Sequence, residues 1–274
     1  MRAAAALIFL VLGGCSGVWT DRWVKSMIFF PSSRLDFQPA EFNLQADTVT
    51  INPDASANLF CWFVPPRPGR PVLLYLHGNA GNISHRLFIA KGWADRGYGC
   101  FLLDYRGYGL STGTIRMESD LADDALAAYQ WLRDVQGLPA GRIVLYGESI
   151  GCAPAIDLAL REQVGAVVLI APFTSLLDMS GFHYGLSQEW MVRNFQFDNE
   201  SKIARLRSPV FILHGTADEI VPVQMGRRLF DKAPDPKEAW WIDGGRHNDL
   251  PDVAGRRFWD APADFLNRLL ESGR

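Results

Sequence analysis

Three residues far apart in the chain are of types that together can cleave an acyl bond: Ser149, Asp218 and His247. A serine hydroxyl is a weak nucleophile at neutral pH. It becomes effective when a histidine takes its proton and a carboxylate orients that histidine. Ser149 stands in Gly147-Glu148-Ser149-Ile150-Gly151, between the apolar run Ile143-Val144-Leu145-Tyr146 and the alanine-rich Cys152-Ala153-Pro154-Ala155-Ile156. That setting predicts a sharp strand-to-helix turn that lifts the hydroxyl off the end of a sheet, with glycines where strand and helix cross closely. Asp218 follows Val210-Phe211-Ile212-Leu213 as the predicted acid, and His247 follows Ala239-Trp240-Trp241-Ile242, in a glycine-rich loop, as the predicted base.

Acyl transfer also needs backbone donors for the oxyanion. Val72-Leu73-Leu74-Tyr75-Leu76 leads into His77-Gly78-Asn79-Ala80-Gly81-Asn82. The expected donors are the N–H groups of Ile150 and Asn79, with Ala80 as the alternate. Plainer roles stand beside these. Asp218 could cap a helix starting near Val221-Pro222-Val223. Asp243 and Asp249 flank His247, although Asp243 precedes the glycine turn too closely to reach back easily. His77 and His214 each end a strand and are expected to bond loop backbone, while His85 and His183 fall in helix or lid.

The segments L-H-G-N-A-G-N, D-Y-R-G-Y-G-x-S-x-G, G-E-S-x-G, H-G-T-x-D-x-x-V-P and G-x-H-N occur in that order. Over roughly residues 45–270 the chain resembles the α/β-hydrolase superfamily, in which the triad order is Ser, Asp, His. Its segments are similar to the branch holding bacterial hydrolases of mostly unassigned substrate and eukaryotic protein-depalmitoylating enzymes. The resemblance implies carboxylic-ester or thioester hydrolysis. The eukaryotic depalmitoylases carry a cysteine-rich lipid-modified N-terminal segment, whereas this chain has one cysteine there.

Elements able to position such residues alternate along the chain. Strand and helix patterns imply an α/β fold, a mainly parallel eight-stranded sheet with helices on both faces. Expected elements include strands over 72–76, 143–146 and 166–170, helices over 152–161 and 223–232, and a last helix over 262–270. Residues 174–207 interrupt the alternation with Phe182, Tyr184, Trp190, Met191, Phe195 and Phe197. They read either as a lid roofing the serine or as a cover for the sheet edge. With 274 residues, 48% of them hydrophobic, one domain over 45–274 can bury a large core. A net charge of -3 supplies no basic field for nucleic acid. No cofactor or metal is implied, since no phosphate loop, dinucleotide fingerprint or metal-ligand cluster is present. Nothing in the sequence sets an oligomeric state.

Residues 1–14 read as a signal peptide: Met1-Arg2, then an apolar stretch from Ala3 to Leu12, shorter than the roughly 20 residues a spanning helix needs. Leu12-Gly13-Gly14-Cys15 resembles the bacterial lipobox, which implies a lipidated Cys15 as the mature N-terminus and a protein of the cell envelope, anchored in the outer membrane and facing the periplasm. An ordinary cleaved signal with an incidental cysteine is the other reading. Residues 15–44 form the segment next to that anchor. Trp19, Trp23 and Met27 share a helical face there that suits either the bilayer interface or packing on the domain. Cys61, Cys100 and Cys152 are expected as buried free thiols, although an exported protein could pair two of them.

Taken together, the expected substrate is a small-molecule or lipid-like acyl ester. A serine peptidase and a non-catalytic periplasmic binding protein are the alternatives.

Overall fold

The computed structural model describes residues 24–185 and 189–272. A short helix, α1, occupies residues 24–28 and leads into β1 (Phe30–Pro31). The sheet proper contains β2 (Asp47–Asp54), β3 (Ala57–Val64) and β4 (Val72–Leu76), followed after the two-residue β5 (Ala80–Gly81) by β6 (Gly99–Leu103). It is completed by β7 (Ile143–Glu148), β8 (Ala166–Ile170), β9 (Val210–Gly215) and β10 (Lys237–Ile242). These eight strands lie in the order β10-β9-β8-β7-β4-β6-β3-β2, while β1 pairs separately with β5. From β6 to β10 all neighbours are parallel; β3 runs antiparallel to both β6 and β2.

Strand alternation divides the core in two. Val72, Leu74 and Leu76 point to one face with Phe101 and Leu103, and Leu73 and Tyr75 to the other with Cys100 and Leu102. Each face is covered by helices, so the central strands are apolar on both sides. The first face receives α3 (Glu118–Asp134), α4 (Cys152–Arg161) and α8 (Val223–Lys232). The second receives α2 (Leu87–Asp95) and α10 (Arg257–Ser272). The helices over 152–161 and 223–232 and the strands over 72–76 and 166–170 keep the bounds expected from sequence.

The last helix departs from its expected start. It begins at Arg257 and carries Pro262 inside it. An interior proline costs about 3 kcal/mol, but Phe258, Trp259, Ala263, Phe265 and Leu266 are all buried on one stripe. At roughly 1.5–3 kcal/mol for a fully buried large apolar side chain, that stripe outweighs the proline. A short helix after His247, α9 (Leu250–Ala254), was not legible in the apolar periodicity.

Residues 174–207 contain α5 (Leu176–Tyr184), α6 (Glu189–Val192) and α7 (Asn199–Ile203). The aromatics expected here divide by exposure. Phe195 and Phe197 are buried in the core, whereas Phe182, Tyr184 and Trp190 are each more than half exposed; the side chain of Met191 lies outside the described residues.

Residues 1–23, and with them the expected signal peptide, Cys15, Trp19 and Trp23, also lie outside them. From Val24 onward the N-terminal segment packs on the domain, with Val24 and Ile28 in the core and Phe29 edge-on to Phe195, ring centroids 5.5 Å apart. Cys61, Cys100 and Cys152 are free and buried, and burial raises all three thiols above their ordinary pKa.

Candidate active site

Ser149 sits where β7 gives way to α4, at φ 54°. For a residue with a side chain the left-handed region costs about 1–3 kcal/mol, and the elbow's glycines are what allow the turn. A Cβ on Gly151 would lie 2.0 Å from the Leu76 carbonyl oxygen, and one on Gly147 2.7 Å from the Cys152 Cα. Any side chain at either position would drive α4 off the sheet.

Three loops at the carboxyl ends of β7, β9 and β10 bring the distant residues together. Ser149 Oγ lies 3.1 Å from His247 Nε2, and His247 Nδ1 lies 2.7 Å from Asp218 Oδ2. The other carboxylate oxygen, Asp218 Oδ1, accepts the N–H groups of Ile220 and Val221 at 2.9 and 2.7 Å. His214 Nε2 lies 2.9 Å from the Val221 carbonyl and 3.3 Å from Asp218 Oδ2. Burial alone would raise the Asp218 pKa. Hydrogen bonds from His214 and His247, the charge of His247 and the Val221 N–H overcome it and hold the carboxyl well below the usual range. Neither neighbouring carboxylate takes its place: Asp243 accepts from the Thr216 hydroxyl, and Asp249 from the Arg246 N–H.

Beside the elbow, Glu148 accepts from the Tyr75 hydroxyl at 2.5 Å and faces Arg86 Nε at 3.2 Å. Burial pushes this carboxyl up, but Arg86 and the Tyr75 hydroxyl prevail and keep it below its ordinary value.

The loop from His77 to Gly81 abuts the elbow, since a Cβ on Gly78 would stand 3.2 Å from Glu148 Oε1. All five of its carbonyls are held. The Tyr105 hydroxyl donates to His77 O at 3.2 Å, and His77 Nδ1 lies 2.7 Å from Gly78 O. Asn79 O accepts from the Phe30 N–H at 2.9 Å and the Tyr108 hydroxyl at 2.7 Å. Arg86 Nη2 donates to Ala80 O at 3.2 Å, and the Ser32 N–H to Gly81 O at 3.0 Å. Asn79 and Ala80 thus lie in a loop fixed by its carbonyls. The Asn79 N–H has no backbone acceptor among the described residues.

The tyrosines that do this belong to the D-Y-R-G-Y-G segment, whose Arg106 is buried and bonded to Asp124 at 2.6 and 2.9 Å, Asp120 at 3.3 Å and Asp54 at 3.1 Å.

Residues 71–186 match the family model described as alpha/beta hydrolase fold. An uncharacterized protein of Mycobacterium tuberculosis (strain ATCC 25618 / H37Rv) is 33% identical over 276 residues, covering 98% of this chain and 96% of that one. The alpha/beta hydrolase domain-containing protein 17C of Homo sapiens is 35% identical over 242 residues, 87% of this chain and 69% of that protein. The chain belongs to the α/β-hydrolase superfamily. The Pyrococcus furiosus esterase shares its fold with a TM-score of 0.75 at 20% identity, covering 89% of this chain and 98% of that one. An alpha-beta hydrolase from Vibrio vulnificus gives 0.70 at 19% identity, covering 95% of each.

Sequence reasoning on this hydrolase missed the residues that hold the site from behind. His214 was read as bonding loop backbone, which it does through Val221, but its approach to Asp218 was not foreseen. Tyr105, Tyr108 and Glu148 stand inside motifs that give them no role of their own, and Arg86 stands outside all of them. The i to i+4 spacing of His214 and Asp218 was a usable signal; the partners of Arg86 and Tyr108 lie too far along the chain to leave one.

Proposed function

We propose that this hydrolase cleaves carboxylic esters or thioesters through an acyl-enzyme on Ser149. The observation that carries the reading is the unbroken contact from Ser149 Oγ through His247 to Asp218, at 3.1 and 2.7 Å, on a serine held at φ 54°. In this reading Ser149 Oγ attacks the acyl carbon while His247 Nε2 takes its proton, and Asp218 stabilises the imidazolium. The bond to the leaving oxygen or sulfur breaks as His247 passes that proton on, releasing an alcohol or thiol. Water then attacks the acyl-enzyme, again giving a proton to His247, and Ser149 recovers it as the carboxylic acid departs. The N–H groups of Ile150 and Asn79, with Ala80 as the alternate, receive the oxyanion in both halves.

The substrate is a small-molecule or lipid-like acyl compound. Exposed Phe182 and Tyr184, which flank His183, favour an apolar acyl chain. His183 ties this segment to the acid loop through the Ile220 carbonyl at 2.7 Å.

Ser149→Ala is the decisive variant. It should abolish hydrolysis of p-nitrophenyl esters and labelling by a fluorophosphonate while leaving the thermal midpoint near wild type. Turnover at the wild-type rate would refute the assignment. Amide cleavage exceeding ester cleavage on matched substrates would favour a peptidase instead.

The Leu12-Gly13-Gly14-Cys15 segment supports a lipid anchor on Cys15 and a place in the cell envelope, at the outer membrane facing the periplasm. Cys15→Ser should move the protein from the membrane pellet to the soluble fraction, and an unacylated mature N-terminus by mass spectrometry would exclude the anchor.

A further inference from the structure

The N-terminal strap, residues 29–32, takes no place in the eight-stranded sheet, lies outside the family-model match over 71–186, and yet runs along the loop proposed to receive the oxyanion. β1 pairs in parallel with β5, Phe30 opposite Ala80 and Pro31 opposite Gly81. The strap is itself fastened on both sides. Phe29 packs edge-on against Phe195, and Ser32 O accepts from the Gly109 N–H and from Asn82 Nδ2, both at 3.0 Å.

A planar trans peptide points its carbonyl and its N–H in opposite directions. Fixing the Asn79 carbonyl therefore aims the Ala80 N–H, and fixing the Gly78 carbonyl aims the Asn79 N–H. Gly78 O is held by His77, its own neighbour. Asn79 O is held from outside the loop, by the Phe30 N–H at 2.9 Å and the Tyr108 hydroxyl at 2.7 Å. The peptide between Asn79 and Ala80 thus takes its orientation from a strand contributed by the extreme end of the described chain.

We propose that the strap is a positioning element of the oxyanion loop, acting through the Phe30 N–H together with the Tyr108 hydroxyl. The proposal rests on the serine-hydrolase reading above. The strap does not touch substrate. It sets where the N–H of Ala80, the alternate oxyanion donor, points, so its loss weakens stabilisation of the tetrahedral intermediate and leaves ground-state binding in place. Removing an oxyanion donor outright costs on the order of 10²–10³ in kcat; loosening one costs less.

The test compares Phe30→Pro, which removes the N–H, with Phe30→Ala, which keeps it, in the full chain with p-nitrophenyl butyrate as the probe. Phe30→Pro should lower kcat about tenfold or more with KM within about twofold, and slow fluorophosphonate labelling in proportion. Phe30→Ala should retain at least about five times the kcat of Phe30→Pro. A folded Phe30→Pro with wild-type kcat, a loss confined to KM, or an equal loss in Phe30→Ala would overturn the proposal. Should Phe30→Pro fail to fold, Tyr108→Phe decides: kcat falling several-fold at constant KM supports the strap, and an unchanged kcat overturns it. Failure of the serine-hydrolase reading shows separately, as a Ser149→Ala variant that still turns over.

Discussion

Asp218 divides its work between its two oxygens. Oδ1 accepts the N–H groups of Ile220 and Val221, the turn that starts the chain toward α8, and Oδ2 faces both His247 and His214. The helix-cap role set beside the acid role does not hold: α8 has Pro222 at its N-cap and no side-chain cap, and Asp218 Oδ1 instead bonds the turn before it. Because its pKa lies well below the ordinary carboxylate range, it is ionised around neutral pH. The acid limb of kcat/KM should then carry no ionisation of Asp218, with a slope no steeper than about one in log kcat/KM against pH. A slope approaching two would mean that the acid titrates as well. Asp218→Asn retains an acceptor oxygen for that turn but not the charge, and its kcat should fall by about 10⁴, the scale seen for this change in serine proteases. Steady-state kinetics at pH 8 would measure it.

At the scale of elements, the loop between β6 and α3 joins the core to the site. Its Tyr105 and Tyr108 hydroxyls hold the carbonyls of the His77–Gly81 loop, and Arg106 between them is tied to three carboxylates. Replacing Arg106 by Met would leave the fully buried Asp124 without its cation, while Asp120 keeps Arg116. Breaking a buried ion cluster on one side costs about 3–5 kcal/mol, so the urea midpoint of Arg106→Met should drop clearly. Arg106→Lys should recover only part of it, because one ammonium cannot reproduce the two-pronged contact with Asp124. A midpoint unchanged in Arg106→Met would show that the cluster contributes nothing net. This loop also marks how far the sequence could be read. The motif was visible as a block, but Arg106 meets Asp54 from 52 residues away and Tyr108 meets Asn79 from 29, and no local pattern encodes such pairings. The triad was legible because each member follows an apolar strand; the strap was not, because β1 is two residues long with both residues exposed.

Across the whole molecule, the central strands were legible for the same reason that they are stable: helices cover both faces, so β4, β6 and β8 are buried at every position. Of the six carboxyl groups whose pKa is clearly moved, five are stabilised in the charged form. Burial works against Asp120, Glu148, Glu200 and Asp218, yet bonds and charges from Arg116, Arg86, Arg228 with Lys232, and His214 with His247 hold each below its ordinary value. The Ser56 hydroxyl and N–H bring Asp54 to about 2. Asp124 moves the other way, raised by burial against its bonds to Arg106. A group with a depressed pKa contributes stability that is present above its unfolded value, roughly 4 for these side chains, and lost as pH falls through the folded value. With five lowered against one raised, the unfolded chain binds more protons than the folded one through this range. Stability should therefore decline as pH falls below about 4.5, by about 1.4 kcal/mol per pH unit for each net proton taken up on unfolding. Urea unfolding followed by tryptophan fluorescence at a series of pH values would measure this, and a midpoint that stays level or rises between pH 5 and 3 would contradict the balance.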